Sequence, residues 1–533
     1  MKKILSILLL APLCMAGQKL SPDMKVSTGT PFLVVDAASK EYVGVGNNHT
    51  ISVKTDGEKV IIQKYNVSTM KEVSRNEYED FPKYTKVQSV LQVGEHLYYI
   101  FEAFDKKAKN YSVYSREIDI ATGKFNEYKT LFTTKGEVAS TGYAGVNLFA
   151  MTALPKFDVI SSFDGSKILI RFRNKPESRN DSKNNDELGF FVFDAKFNKL
   201  WGKEVKMPHT EKEMDNLAFA VNKEGVAYML SRINASKSFE LITVNADGLK
   251  NKVLPVKKGL MFNSFELREN ANGNMIAAGY YANGTEAKVD WTGNLSTSMN
   301  INGIYVFEIG KDGGIVKDID YPFSIELIKK YLSNRQKEKA DKREEDGKAG
   351  INDLVLRNFV LNSDGSMVLI GEVYYMRKEM WMTSMENVTH FGDVVITKID
   401  ANGKLVWADK MPKNQAILSS NYVDIKGMGI SYIQGKGAHY ILFADNRKNA
   451  NIKMDQPAEP HKGGFGGYLT AYKVDDATGK IEKHLICDLT DIGGIRAYQF
   501  SVSRIFQAMD KVFMLEVYIK DKQDTMVKME LVK

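Results

Sequence analysis

The chain has 533 residues, and its 73 Lys and Arg stand against 66 Asp and Glu for a net charge of +7. The two signs are interspersed along the whole length, which excludes the clustered cations of a nucleic-acid-binding surface. Only Cys14 and Cys487 could form a disulfide, so this is no disulfide scaffold, and a chain this long buries enough apolar surface without one.

The first 17 residues have the three parts of a secretory signal peptide. Lys2 and Lys3 precede an apolar run from Ile4 to Leu13, and Cys14-Met15-Ala16-Gly17 follows. The run is about half the roughly 20 residues that a spanning helix needs. Cleavage after Ala16 or Gly17 is expected, and the bulky Leu13 argues against lipidation of Cys14. No other stretch is long and apolar enough to span a bilayer. Residues 18–533 are therefore expected to form one exported domain, periplasmic or secreted, monomeric and without a membrane span.

Short β-rich runs dominate the remainder, and they recur as paired hairpins. Phe32–Val35 is a lone apolar run. Residues 42–72 contain YVGVG, TISVKT, KVIIQKYN and KEV, which make a first unit. One hairpin type then recurs at 87–104, 157–173, 217–233, 264–281, 354–375, 429–447 and 500–519. A second type follows most copies, with turn centres at 119–123, 194–198, 245–248, 311–314, 400–403 and 475–479. The clearest copy is LVLRNFVLNSDGSMVLIGEVYY followed by DVVITKIDANGKLVWADKMP. Gly365 and Gly403 supply the positive φ that such tight turns require. Each pair of hairpins makes a four-stranded antiparallel unit.

Repeated four-stranded units of this size read as the blades of a single all-β propeller. Eight blades are counted, or seven if 42–72 holds fewer strands. Two sandwich domains are the rival architecture. The last copy lacks its fourth strand, and Phe32–Val35 is expected to supply it and close the ring.

Label the strands of each blade A to D from the centre outward. Most A–B and C–D turns are then short. Long segments fall at the B–C positions 174–187, 282–302, 376–392 and 448–466. Others fall at the D–A positions 132–156, 321–353 and 411–426. All of this decoration is expected on one face, and long loops in a compact domain are usually functional or disordered. Residues 321–353 hold the one helical pattern, near Ser324–Glu345, with Ile325, Ile328 and Leu332 on one side. Its later part is highly charged, with pairs such as Glu338 and Lys342.

The insertion MRKEMWMTSMENVTHFG (376–392) carries Trp381, His390 and Phe391, and 282–302 carries Trp291. Exposed Met and aromatic side chains are adaptable binding material. These four residues are the candidate contacts, with Tyr280, Tyr281, Tyr374 and Tyr375 beneath them. The alternative is that both insertions are lids that bury their own apolar groups. Glu102, Glu372 and Glu516 recur at matching points of B strands, with Arg171 at a comparable place. They are either ligand-facing carboxylates near the channel or structural, paired groups.

No H-x-H or H-E-x-x-H set occurs, no G-x-S-x-G elbow occurs, and no cofactor is readable. The run HKGGFGG (461–467) precedes strand residues and reads as a flexible hairpin loop rather than a phosphate loop.

The signal peptide, the D-x-x-G-K turns (400–404, and 119–124 with one residue more) and the SDGSMVLIGEVYY segment resemble uncharacterised exported β-propeller-type proteins of Bacteroidota. That resemblance implies no activity and assigns no catalytic residue. Two functional readings remain. One is a binding protein that meets a protein or glycan partner on the decorated face. The other is a carbohydrate-active enzyme, a glycoside hydrolase or lyase, with carboxylates at the channel mouth.

Overall fold

The repeated hairpins fold as successive four-stranded antiparallel sheets. The structure, a computed structural model, describes residues 20–140, 155–176, 183–256, 260–283, 285–289, 295–381, 383–420, 427–498 and 500–532. Residues 1–17, expected as a signal peptide, and Trp291 lie outside these residues. Seven sheets are continuous in the chain, at residues 39–78, 85–133, 138–210, 214–254, 261–322, 354–411 and 431–488. The eighth joins the two ends: Phe506–Met509, Val512–Lys520 and Gln523–Leu531 are followed outward by Met24–Thr28. These sheets are blades 1 to 8 of an all-β propeller.

Local chemistry sets the turns. Gly123, Gly365, Gly403 and Gly479 all have positive φ, as the hairpins demand. In the D-x-x-G-K turns the Asp carboxylate holds the turn's backbone amides. Asp400 accepts from Lys404 N at 2.8 Å, and Asp119 from Thr122 N at 2.9 Å.

The central strands are buried on both faces. Every residue of Met275–Ala282 is buried, for example. Such a strand needs an apolar neighbour on each side of its sheet, and the cores show where each neighbour lies. Blade 1 meets blade 2 through Ile51, Val53, Leu97 and Tyr99. Ile100 and Ile170 join blades 2 and 3, and Leu169 and Phe219 join 3 and 4. Leu230 and Phe262 join 4 and 5, and Val306 and Leu369 join 5 and 6. Val368 and Ile441 join 6 and 7, and Leu442 and Leu515 join 7 and 8. Met514 and Met526 of blade 8 then meet Tyr65 and Met70 of blade 1. The order of cores returns to its start, which decides for eight blades over seven.

Three expectations are corrected. The strand that completes blade 8 is Met24–Thr28, paired along its length with 527–531. Phe32–Leu33 makes only two pairs, with Asp524 and Gln523. Met24 is buried against blade 8 while Leu33 is 69% exposed, so the apolar alternation favours the earlier segment. The helical insertion is two helices, α1 (Ile325–Lys329) and α2 (Asn334–Glu345), rather than one. Tyr331 sits at φ 66 between them, and Ser333 with Gln336 forms a capping box that starts α2 afresh. Residues 376–392 are not a loop. They are the overhanging ends of the blade 6 B and C strands, Met367–Trp381 and Ser384–Ile399.

Removing residues 20–28 takes the outer strand from blade 8 and uncovers Val527, Met529 and Leu531. The melting temperature is expected to fall by roughly 5 °C or more, read by circular dichroism. An unchanged melting temperature would show that this strand does not hold the ring.

Candidate functional site

In every blade the A–B and C–D turns lie on one rim and the B–C and D–A connections on the other. Blades 5 to 7 carry the longest described decoration on that second rim. Leu354 of blade 6 strand A pairs with Val373, and a register shift follows at Glu372/Tyr374. Beyond it the B and C strands continue as a hairpin, from Tyr374↔Phe391 to Trp381↔Ser384. Gln415–Leu418 pairs with Val388–Phe391, and His461–Lys462 lies parallel to Gln415–Ala416. The hairpin is thus supported at its base and free at its tip.

The two-residue period divides the hairpin into two faces. Tyr374 and Phe391 share one and meet edge-on at 5.3 Å within a small core that includes Ile417 and Met428. Tyr375 and His390 share the other and stack at 4.7 Å. His390 Nε2 lies 3.4 Å from Glu379 Oε1, and burial of the ring lowers its pKa. Tyr280, Tyr281 and Tyr374 are buried. His390 and Phe391, expected as exposed contacts, are buried too, because Gln415–Leu418 closes over their strand. Trp381 is half-buried, and Lys462 lies 5.6 Å from its ring. What the tip does expose is Met376 (55%) and Met380 (64%).

Next to Lys462 the glycine-rich loop presents Phe465, 46% exposed, and the crossover to blade 8 presents Tyr498, 38% exposed. Their rings lie 6.3 Å apart, and the Arg496 guanidinium stands 5.2 Å from each. Sequence reasoning missed this group. The only local signal was one aromatic residue set among four glycines.

The B-strand carboxylates lie in three blades with three separate sets of partners. Glu372 is fully buried. It accepts from Lys413 Nζ at 2.7 Å and pairs with Arg357. Burial opposes its charge, yet Arg357 and Lys413 outweigh that and hold the carboxyl below its ordinary value. Glu516 lies at the seam between blades 8 and 1, 2.6 Å from Lys54 and 2.9 Å from Lys40. Lys40 also reaches Asp524 at 3.3 Å. Burial works against the Glu516 charge, but Lys54 and Lys40 prevail and hold it down at about 2. Burial and the Glu516 charge push Asp524 up to about 7. Glu102 is buried opposite Lys86, and its Oε2 has no hydrogen-bond partner among the described residues. Burial pushes its carboxyl up to about 7, with Lys156 and Lys86 pulling the other way. Arg171 pairs with Asp158 and stands 3.7 Å over the Phe219 ring of blade 4.

No protein-family model matches the chain, and no curated protein matches it. Among solved structures it is similar to polysaccharide lyase Uly1, at 10% identity and TM-score 0.38, covering 93% of this chain and 90% of that one. It is similar to an oligogalacturonate lyase in complex with manganese, at 9% identity and TM-score 0.34, covering 95% and 99%. It is also similar to the β-propeller domain of the trilobed protease from Pyrococcus furiosus, at 10% identity and TM-score 0.26, covering 68% and 92%. The fold itself rests on the eight sheets and the cores between them.

Two outcomes are expected. Glu372→Ala leaves Lys413 and Arg357 buried without their anion and should cost about 3–5 kcal/mol in denaturant unfolding. Adding Lys413→Met should recover part of that loss. The seam gives a pH signature. Between pH ~4, the ordinary carboxyl value, and about 7 the folded chain keeps an Asp524 proton that the unfolded chain has released. The Asp524 contribution therefore falls as pH rises through that window, while that of Glu516 is lost as pH falls below ~4. Asp524→Asn should flatten the fall between about pH 4 and 7 in a series of urea midpoints.

Proposed function

We propose that the protein is an exported, non-catalytic binding protein of the cell envelope, and that it engages a protein or glycan partner with the decorated face of blades 6 and 7. The observation that carries this reading is the blade 6 hairpin. It extends the sheet past its inner strand and offers Met376 and Met380 to solvent, and connections on the same rim expose Phe465, Arg496 and Tyr498. Exposed Met and aromatic side chains beside a cation form adaptable contact surface.

The enzyme reading needs carboxylates that reach a substrate. Glu372 and Glu516 are buried and neutralised by Lys and Arg, and Glu102 is buried in a different blade. Their recurrence at matching positions has a structural account, because each lies where adjoining strands supply a cation or an apolar cover.

The test replaces Lys378–Asn387 with Asn-Gly, a turn suited to rejoining Arg377 and Val388. The trimmed protein should melt within about 2 °C of the parent, since surface changes usually cost under about 0.5 kcal/mol. It should lose retention on those members of a glycan panel, or those purified envelope proteins, that the parent binds. Phe465→Ala with Tyr498→Ala should weaken the same binding about tenfold or more. Product release from any glycan, abolished by Glu372→Gln, would overturn this reading in favour of the enzyme.

A further inference from the structure

The seam between blades 8 and 1 differs in kind from the others. Its apolar core is small: Tyr65, Val67 and Met70 against Ala508, Met514 and Met526. The face of blade 1 turned to blade 8 carries cross-strand rows, Lys40–Lys54–Ile61, Tyr42–Ser52–Gln63 and Gly44–Thr50–Tyr65. Tyr42 stacks on Phe506 at 5.3 Å and Lys54 reaches Glu516 at 2.6 Å, which fixes the direction of that face. Thr50 Oγ1, Ser52 Oγ, Gln63 Oε1 and Tyr65 OH are buried there without a hydrogen-bond partner among the described residues. Buried polar atoms of this kind are costly unless a small polar guest satisfies them.

The first of these rows opens into a cavity of about 290 Å³ on the decorated rim. Blade 1 has only a two-residue B–C turn, between Asp56 and Lys59, so no insertion covers the mouth. Three cations line it, Lys54, Lys59 and Arg75, and three anions, Asp36, Asp56 and Glu77. The cations are already engaged: Lys54 with Glu516, Lys59 with Glu77 at 3.0 Å, and Arg75 with Glu72 at 2.8 Å. Asp36 and Asp56 have no ion pair or side-chain hydrogen bond among the described residues. Val34 and Ile61 add an apolar patch.

With every lining cation already paired and two carboxylates free, the mouth disfavours an anion. Two free carboxylates offer acceptors for O–H donors, an ammonium with spare N–H groups offers a donor, and the apolar patch suits C–H groups. The volume is that of a small ligand site. We propose that this cavity is a binding subsite for a hydroxyl-rich ring of sugar size that carries no acid group, with Asp36 and Asp56 accepting its hydroxyl hydrogens and the exposed Lys59 ammonium, which has one partner in Glu77, donating to a ring or hydroxyl oxygen. The inference rests on the binding reading above only in sharing its rim, and it names a ligand class for that face. The ring belongs either to a free monosaccharide or to the end of a neutral oligosaccharide.

The experiment is saturation-transfer NMR with calorimetric titration of the full chain. The probes are glucose, galactose, mannose, xylose and N-acetylglucosamine, then maltotriose and cellotriose, with glucuronate and glucosamine as charged counterparts. At least one neutral sugar should bind, more tightly than glucuronate, and glucosamine should bind at least as well as glucose. Tighter binding of an oligosaccharide than of its monosaccharide would assign the site to a chain end, and equal binding to the free sugar. The Asp36→Ala, Asp56→Ala protein should keep its melting temperature, since both side chains are exposed, and should bind about tenfold or more weakly. The hairpin-trimmed protein should bind the same sugar as the parent does. Binding by no neutral sugar, preference for glucuronate, or indifference to the double substitution would overturn the subsite. Those results would leave hairpin-dependent binding standing, and loss of sugar binding in the trimmed protein would put the sugar on the blade 6 and 7 surface and likewise overturn the subsite.

Discussion

A sheet that is apolar on both faces cannot stop at water on either side. That constraint organises the whole molecule. Strands such as Met275–Ala282 present buried side chains alternately to two neighbouring sheets. A stack of such sheets has two raw ends unless it closes on itself, and closing it brings blade 8 against blade 1. The two ends also share a sheet, because Met24–Thr28 supplies the outer strand beside Gln523–Leu531. Strand edges, turn chemistry and blade number all follow from the need to cover every face. The rims are released from this demand, and the insertions occupy one of them.

Charge enters the stack only under strict conditions. The Glu372–Lys413 pair has no solvent access, and Arg357 supplies a second partner. A buried pair of this sort adds little net stability compared with apolar packing, but losing one member is costly. Lys413 also donates to the Phe391 carbonyl at 3.2 Å, so it ties the crossover after blade 6 to the base of the hairpin. At the other seam Lys54 of blade 1 meets Glu516 of blade 8. There the ion pair and several hydroxyls occupy space that apolar side chains fill between other blades. One seam of the ring is therefore hydrophilic where its neighbours are greasy, and it is the seam that joins the two ends.

The hairpins were legible because turn chemistry is local, whereas the choice between eight and seven blades needed the cores. Asp and Gly at fixed spacing announce each turn without reference to the rest of the chain. The closing strand was misread because MKVST is short and carries only two apolar residues, while Phe32–Val35 is a denser apolar run that the fold pairs only at its start. The blade 6 overhang read as a loop for a similar reason. Arg377, Lys378 and Glu379 interrupt the apolar pattern at positions where both faces of a projecting hairpin meet water. The burial of His390 and Phe391 depends on Gln415–Leu418 and His461–Lys462, whose pairing no local pattern reveals. Phe465, Arg496 and Tyr498 come from two connections that only the fold brings together. The break between α1 and α2 did have a local signal, the Ser-x-x-Gln capping box at Ser333 and Gln336.

The antiparallel pairing of Met24–Thr28 with the last strand has a mechanical consequence. Met24 lies opposite Leu531, so the two ends of the folded chain leave the same corner of blade 8. A load pulling them apart acts across the strands and not along them. It breaks the backbone pairs in succession, as a zipper opens, instead of straining all of them together in shear. A load applied through loops on opposite rims would instead run along many strands at once. The molecule is thus compliant to tension between its termini and stiff to tension across its rims.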